Sequence, residues 1–420
     1  MADASTIRAS DKERMQAKRP GMNVADSRRA LMGFFLTGIL VSFLGAILPA
    51  WHDSSDYRFA AVGYYFLSLN VGMLAAVRAG YALIPRKGIR PAIMTGALLA
   101  CIAFLFLAAV RPSWPEIWRY VGIFVLGASI GILNTTIFHS LSPLYKHDPA
   151  ATVNIGGIFL GLGCVTTALL VAGTFYIYTT PSILIFFAVI PAFYAIFAAR
   201  APFAPVERNV ERPMREALRD FKDPAAVLFS VLLFLQFGNE WSLAGWLALF
   251  LMHQMSVSPQ AALLLLAMYW GALLIGRILA QVALQHIRHG RLLAMSALAA
   301  LFGCLLLTYS PAKIGAVVGI LLVGGGFASI YPIVAERIGH RFTYYHPGFY
   351  NGIFSFAITG GLLAPWTLGY FAQAYGIRVV MIVPTLGTCM VVILVVLINL
   401  QARLGARRAN AANAPPPSDH

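Results

Sequence analysis

Apolar residues run through this chain in long blocks separated by short polar or charged interruptions, and the length of the blocks carries the first information. A helix needs about 20 mostly apolar residues to span hydrocarbon. Stretches of that kind occupy 31–51, 58–84, 91–110, 117–142, 151–175, 180–199, 225–252, 260–285, 292–309, 312–335, 348–374 and 378–400. A transmembrane barrel would instead need segments of about 10 residues alternating apolar and polar. Blocks such as ALLACIAFLFLAAV do not alternate. The pattern predicts an all-α integral membrane protein with twelve transmembrane helices.

Composition agrees with this reading. Hydrophobic residues make up 59% of the 420 positions and charged residues 11%, outside the range of ordinary soluble domains. The first 29 residues carry seven Lys or Arg and no apolar core, so no cleavable secretory signal is expected and helix 1 inserts the chain. Of the 31 basic residues, 24 lie on the side of the N-terminus, the even-to-odd loops and the C-terminus, and five on the other. The positive-inside rule then places both termini in the cytoplasm of a cell (inner or plasma) membrane protein. The net charge of +15 is thereby explained as one charged membrane face, and nucleic-acid binding is not expected. Cys101, Cys164, Cys304 and Cys389 fall inside spans without a ligand spacing and read as packing residues, with no metal site and no disulfide frame.

The longest charged segment, 201–224, divides the chain. The expected organisation is a cytoplasmic tail (1–29), a six-helix half (30–200), a cytoplasmic linker (201–224), a second six-helix half (225–400) and a C-terminal tail (401–420). Within the linker, MREALRDF reads either as a short helix on the membrane surface or as a solvated connection. The halves echo one another. VGMLAAVR (Val71 to Arg78) in helix 2 matches WGALLIGR (Trp270 to Arg277) in helix 8, and NIGGIFLGLG from Asn154 matches NGIFSFAITGG from Asn351. The repeats are parallel, as in carriers built from two like halves.

The matching depth of Arg78 and Arg277 predicts a symmetric cytoplasmic gate or inter-helix network; snorkelling to the headgroups and contact with substrate are the alternatives. Glu336, at the cytoplasmic end of helix 10, is the expected partner of Arg277. Glu240 lies deeper, about 22 Å along helix 7, and its Cα is set about 10 Å in depth from that of Arg277. An ionised carboxyl near the midplane is costly, which makes Glu240 the proton-coupling candidate or else a structural acid hydrogen-bonded between helices. His139, near the end of helix 4, is a second candidate because imidazole titrates near neutral pH; the alternative is an interfacial hydrogen-bonder. Amides, carboxylates and aromatic faces suit a hydroxylated solute. The substrate-binding candidates are Asn134, Asn154, Gln236, Asn239, Glu240, Trp241, Tyr269, Trp270, Tyr331 and Asn351, each of which also reads as inter-helix packing. No nucleophile/base spacing and no phosphate-binding loop is present, so neither an enzyme nor an ATP-driven pump is indicated. No cofactor is expected.

These residues carry a resemblance. The chain resembles the major facilitator superfamily transporters, most of all the fucose–galactose–glucose:proton symporter group. YWGALLIGR (Tyr269 to Arg277) is similar to that group's helix 8 signature and FGNEWSLAGWL (Phe237 to Leu247) to its helix 7 pattern. VNIGGIFLGLG (Val153 to Gly163) is similar to its helix 5 pattern, and GGGFASIYPIVAERIGHRF (Gly324 to Phe342) to its helix 10 and following loop. The resemblance implies two pseudo-symmetric six-helix halves, alternating access, a small-molecule substrate of the sugar kind and proton symport by a monomer among membrane lipids. Departures are specific. Gly157 stands where the helix 5 pattern has histidine, Asn134 near where helix 4 has an acid, and helix 1 has none, with Asp53 and Asp56 just outside. Pro85 replaces the aspartate of the loop after helix 2. The missing acids keep a uniporter open, and a proton-coupled exporter of drugs or metabolites is the other transport alternative. A polytopic membrane enzyme or receptor is the alternative of another class, and it predicts no repeat.

Overall fold

A computed structural model describes residues 24–51, 58–111, 113–147, 149–200, 218–284, 286–310, 312–342 and 352–412. Its twelve long helices are α1 (Val24–Trp51), α2 (Phe59–Lys87), α3 (Ile89–Ala109), α4 (Ile117–His147), α5 (Pro149–Thr174), α6 (Thr180–Arg200), α7 (Pro224–Met255), α8 (Pro259–Ala283), α9 (His289–Tyr309), α10 (Lys313–Arg341), α11 (Gly352–Tyr375) and α12 (Val379–Ala412). Each contains a stretch long and apolar enough to cross a membrane. Among the described residues there is no strand. Several helices outrun the expected spans: α4 continues to His147 and α12 to Ala412. Hydropathy marks only the part of a helix that sits in hydrocarbon, and a backbone already paired internally has no reason to stop there.

Local chemistry starts the second half cleanly. Asp223 caps α7 by accepting from the Ala225 amide at 2.9 Å, with Pro224 following, and Ser258 caps α8 ahead of Pro259. A proline at the first helical position has no N–H to leave unpaired, and the cap oxygen takes up one of the free amides. The described part of the linker is a single 3₁₀ turn, Leu218–Lys222; the rest of the expected surface helix lies outside the described residues.

The bundle repeats itself. In the first half α1 packs on α5, α2 on α4 and α3 on α6; in the second, α7 packs on α11, α8 on α10 and α9 on α12. These are the same pairings shifted by six helices, so the all-α fold consists of two pseudo-symmetric six-helix halves. The outer members carry lipid-compatible faces, such as Leu98, Ile102 and Leu105 on α3 and Leu386, Met390 and Ile393 on α12. Glycine lets the inner helices touch: a Cβ on Gly63 of α2 would strike the Trp366 carbonyl of α11, and one on Gly369 would strike Gly63 in return. We call the face at which α1 begins proximal and the opposite face distal.

The halves meet along two symmetry-related seams, α5 with α8 and α2 with α11. The α5–α8 seam is hydrogen-bonded at both ends. Gln260 donates to the Ala172 carbonyl distally (3.3 Å), and Asn154 donates to the Arg277 carbonyl (3.3 Å) and the Gln281 side chain proximally.

Candidate functional site

Between the halves lies a cavity that leaves about 170 Å³ to the centres of water molecules. One water needs roughly 10–15 Å³ on that measure, so this is a ligand-sized space and not a packing fault. Every residue lining it stands at least ten positions from the distal end of its helix. Towards the proximal face the lining reaches Leu141, Thr152 and Phe354, close to helix ends. The cavity is therefore closed distally and extends proximally.

The distal closure is made of backbone and rings. Asn70 of α2 donates to the Leu362 carbonyl of α11 at 2.7 Å. Further out, Tyr64 and Tyr370 join by their hydroxyls, and the Ala60 amide meets Gln373. Gly45 of α1 lies against the Ala244 carbonyl of α7, and Phe59 packs on Trp246 and His253.

Most of the wall is apolar, including Phe34, Val41, Met73, Phe138 and Leu160. Phe237, Tyr331 and Phe354 form an edge-to-face cluster on one side, with centroids 5.1 and 6.4 Å apart. Against this background stand a few polar groups: Thr37, Asn70, Asn134, Thr152, Glu240 and Arg277. The Asn134 side-chain oxygen is buried and makes no hydrogen bond. An apolar pocket with few polar groups is the usual form of a small-molecule site, in which the polar groups fix orientation.

Arg277 is the best-connected of these. It is 7% exposed, and its Nη1 donates across the boundary to the Gly157 carbonyl at 2.7 Å. Its Nη2 lies 3.7 Å from Glu240 Oε1, a contact of opposite charges too long for a hydrogen bond. The expected partner, Glu336, is elsewhere: its carboxylate faces His289 (3.1 Å) and His340 (3.6 Å) at the proximal surface. The depth argument measured Cα positions, and two long side chains converging from α7 and α8 close the gap that it left open. Gly157 completes the explanation. The side chain absent at that position is the space that the guanidinium fills, and a Cβ there would collide with it.

Of the sequence candidates, Asn134, Glu240, Trp241, Tyr331 and Arg277 line the cavity together. Gln236 is fully buried one turn before Glu240, with neither side-chain amide atom hydrogen-bonded. Asn239 turns away and donates to Thr388 of α12 at 3.2 Å. Tyr269 is fully buried and donates to the Glu240 backbone carbonyl at 3.3 Å, with its ring against Trp270. Asn154 belongs to the α5–α8 seam and His139 packs against Tyr81 of α2; neither lines the cavity. Arg78 is exposed and so shares the depth of Arg277 but not its surroundings. Asn351 lies outside the described residues. Three cavity groups escaped the sequence reading, Thr37, Asn70 and Thr152: single polar residues in apolar helices carry no motif, and only the common depth of the first two with Glu240 could have raised them.

Known proteins supply an independent comparison. The sequence model of the Major Facilitator Superfamily matches residues 145–365, just over half of the chain. A transporter of the same superfamily type from Yersinia pestis is 22% identical over 371 residues, covering 88% of this chain and 94% of that protein. A glucose/galactose transporter of Brucella abortus is 24% identical over 388 residues, covering 84% and 88%. Among solved structures, the nucleoside transporter NupG aligns with a TM-score of 0.65 at 13% identity, over 89% of this chain and 98% of that one. The D-xylose-proton symporter aligns with 0.67 at 14%, over 87% and 96%, and FucP in its outward conformation with 0.62 at 14%, over 90% and 99%. Twelve apolar helices in two like halves, the family match and these structural likenesses agree: the chain is a multi-pass membrane transporter, not an enzyme, and belongs to the Major Facilitator Superfamily.

Proposed function

We propose that the chain carries a small hydroxylated solute, a sugar or related compound, across the membrane by alternating access with proton symport, and that the cavity between the halves is its binding site. The observation that carries this reading is the Glu240–Arg277 pair. It is the one place among the described residues where a carboxylate and a guanidinium both line the inter-half cavity. Ionised groups are retained at that depth only for a reason, and a carboxyl that gains and loses a proton beside the solute supplies coupling. Asn134, whose side-chain oxygen makes no hydrogen bond, can pair with a hydroxyl, while Trp241 and Tyr331 offer ring faces to C–H surface. The names of the Brucella glucose/galactose transporter and the D-xylose-proton symporter point to the same solute class.

Positive-inside counting supports a cytoplasmic proximal face with both termini on that side; the cavity, closed distally, then extends toward the cytoplasm. The distal closure is then the outer gate, which rocking of the halves about the seams opens.

The test is reconstitution in liposomes with a pH dye inside and a panel of sugars and related hydroxylated compounds outside. Proton entry that depends on one of these solutes and disappears in Glu240→Gln is the expected result. Sugar counterflow without proton movement would make the protein a uniporter. The largely apolar wall favours one second reading, a proton-coupled exporter of less polar compounds; silence towards sugars together with transport of such compounds would establish it instead.

A further inference from the structure

The guanidinium of Arg277 is held but not used up. Arginine presents its five N–H groups as a rigid planar fork, and its Nε–H and Nη2 form the edge that takes a carboxylate in two parallel bonds. In this structure Nη1, on the other side of the fork, is anchored to the Gly157 carbonyl at 2.7 Å. The Nε–Nη2 edge is vacant of hydrogen bonds: Nε is buried without a partner, and Nη2 only approaches Glu240 at 3.7 Å. Arg277 and Glu240 both line the cavity from the second half, and Asn70 and Asn134 line it from the first.

We infer that the transported solute is itself a carboxylate, a sugar acid or short hydroxy acid, which takes the Nε–Nη2 edge of Arg277 in place of Glu240 while Glu240 binds one proton. This rests on the reading of the cavity as the solute site of a proton-coupled carrier. The charge balance then enforces coupling. Empty, the site holds one guanidinium cation and one carboxylate anion. Loaded, it holds the guanidinium, the solute carboxylate and a protonated Glu240, which has the same net charge. The two wrong states are both penalised. The anion without a proton puts two carboxylates beside one cation, and the proton without the anion leaves a buried guanidinium unpaired. Neither state crosses readily, so anion and proton move one for one. The other titratable groups around the pair are Tyr269 from α8, Cys164 from α5 and Cys304 from α9, with Tyr331 from α10 on the cavity wall. None of these supplies a second cation, so Arg277 is the group over which the two carboxylates compete.

The experiment is calorimetric binding to the purified full chain in detergent, run in two buffers of different ionisation enthalpy so that protons are counted. D-gluconate and D-glucuronate are compared with D-glucose and D-galactose. The expected result is that the acids bind at least about tenfold tighter than the sugars at acidic pH. Each acid molecule bound takes up close to one proton, and affinity falls as pH rises. Glu240→Gln should bind the acids without proton uptake and with little pH dependence. Arg277→Gln should lose the preference for acids. Sugars that bind while the acids do not, or acids that bind without proton uptake to the unmodified protein, would overturn this inference and leave the sugar-carrier reading standing. Unchanged proton uptake in Glu240→Gln would overturn the role given to Glu240. Absence of binding by any of the four probes would bring down the sugar-carrier reading and this inference with it.

Discussion

Arg277 of α8 and Gly157 of α5 are joined by a hydrogen bond of 2.7 Å that crosses from one half of the transporter to the other. Because the donor is charged and the acceptor is a helix carbonyl already bonded in its own helix, geometry at this point depends on how closely α5 and α8 approach. A Cβ at position 157 would enter the guanidinium, whereas one at Gly161, a turn along the same helix, would meet Leu274 at an ordinary 3.6 Å. Gly157→Ala is therefore expected to push the guanidinium off the Gly157 carbonyl, to lower stability by about 1.5–3 kcal/mol through the lost hydrogen bond of a charged donor, and to reduce transport. Gly161→Ala should be close to neutral. Thermal unfolding of the two purified variants, side by side, checks this; equal melting temperatures would show that the space at 157 does not matter.

The pair itself predicts a specific pattern of coupling. Glu240 and Arg277 are both largely buried, so removing one partner leaves the other charge without compensation in a low-dielectric site. Breaking such a pair costs about 3–5 kcal/mol, while replacing both members is often milder than either single change. Glu240→Gln and Arg277→Gln should each destabilise more than the double variant does. A double-mutant cycle on reversible unfolding measures the difference, and strictly additive effects would mean that the 3.7 Å approach carries no energy.

Sequence symmetry and structural symmetry part company at Arg78. Its octapeptide echoes that of Arg277, yet the side chain is exposed on α2, and the α2–α11 seam is closed through Asn70, Gly63 and Tyr64 instead. Arg78→Gln should leave most transport activity, because the side chain does not line the cavity between the halves. Arg277→Gln should abolish it. Transport in liposomes with matched protein incorporation decides the point, and equal loss in both variants would restore the symmetric gate that the repeat suggests.

The particular residues show what was legible beforehand and why. Twelve spans could be read because hydrocarbon thickness sets a length that soluble helices rarely satisfy with so few charges. Glu240 could be read because an acid near a membrane midplane is expensive wherever it points. Its partner could not. Choosing Glu336 required the assumption that depth along ideal, parallel helices limits contact, and side-chain reach defeats it. Gly157 was visible only as a missing histidine; that a missing side chain is the seat of another helix's guanidinium is a fact of packing between halves, which no window along one helix contains. Asn239 and Glu240 are adjacent in sequence, but a rotation of 100° per residue sends one to α12 and the other to the cavity.

The distal closure offers a way to move the whole molecule. Gly63 and Gly369 bring the backbones of α2 and α11 into contact, and a Cβ on Gly369 would lie 2.7 Å from the Gly63 Cα and 2.8 Å from the Phe59 carbonyl. Backbone cannot yield as a flexible side chain can, so Gly369→Leu must push the distal ends of the helices apart. The proximal part of the cavity contains neither glycine and is not strained by the change. A penalty of about 1–3 kcal/mol on the distally closed state alone shifts a two-state equilibrium by roughly 5–150-fold. Spin labels at Arg58 and Tyr375, one on each side of this contact near the helix ends, report the separation. The expected outcome is a longer Arg58–Tyr375 distance in Gly369→Leu than in the unsubstituted protein, with transport lost because one of the two alternating states has become too costly to populate. An unchanged distance with transport retained would mean that the glycine contact is incidental to closure, and that Asn70 and the Tyr64–Tyr370 pair hold the distal side without it.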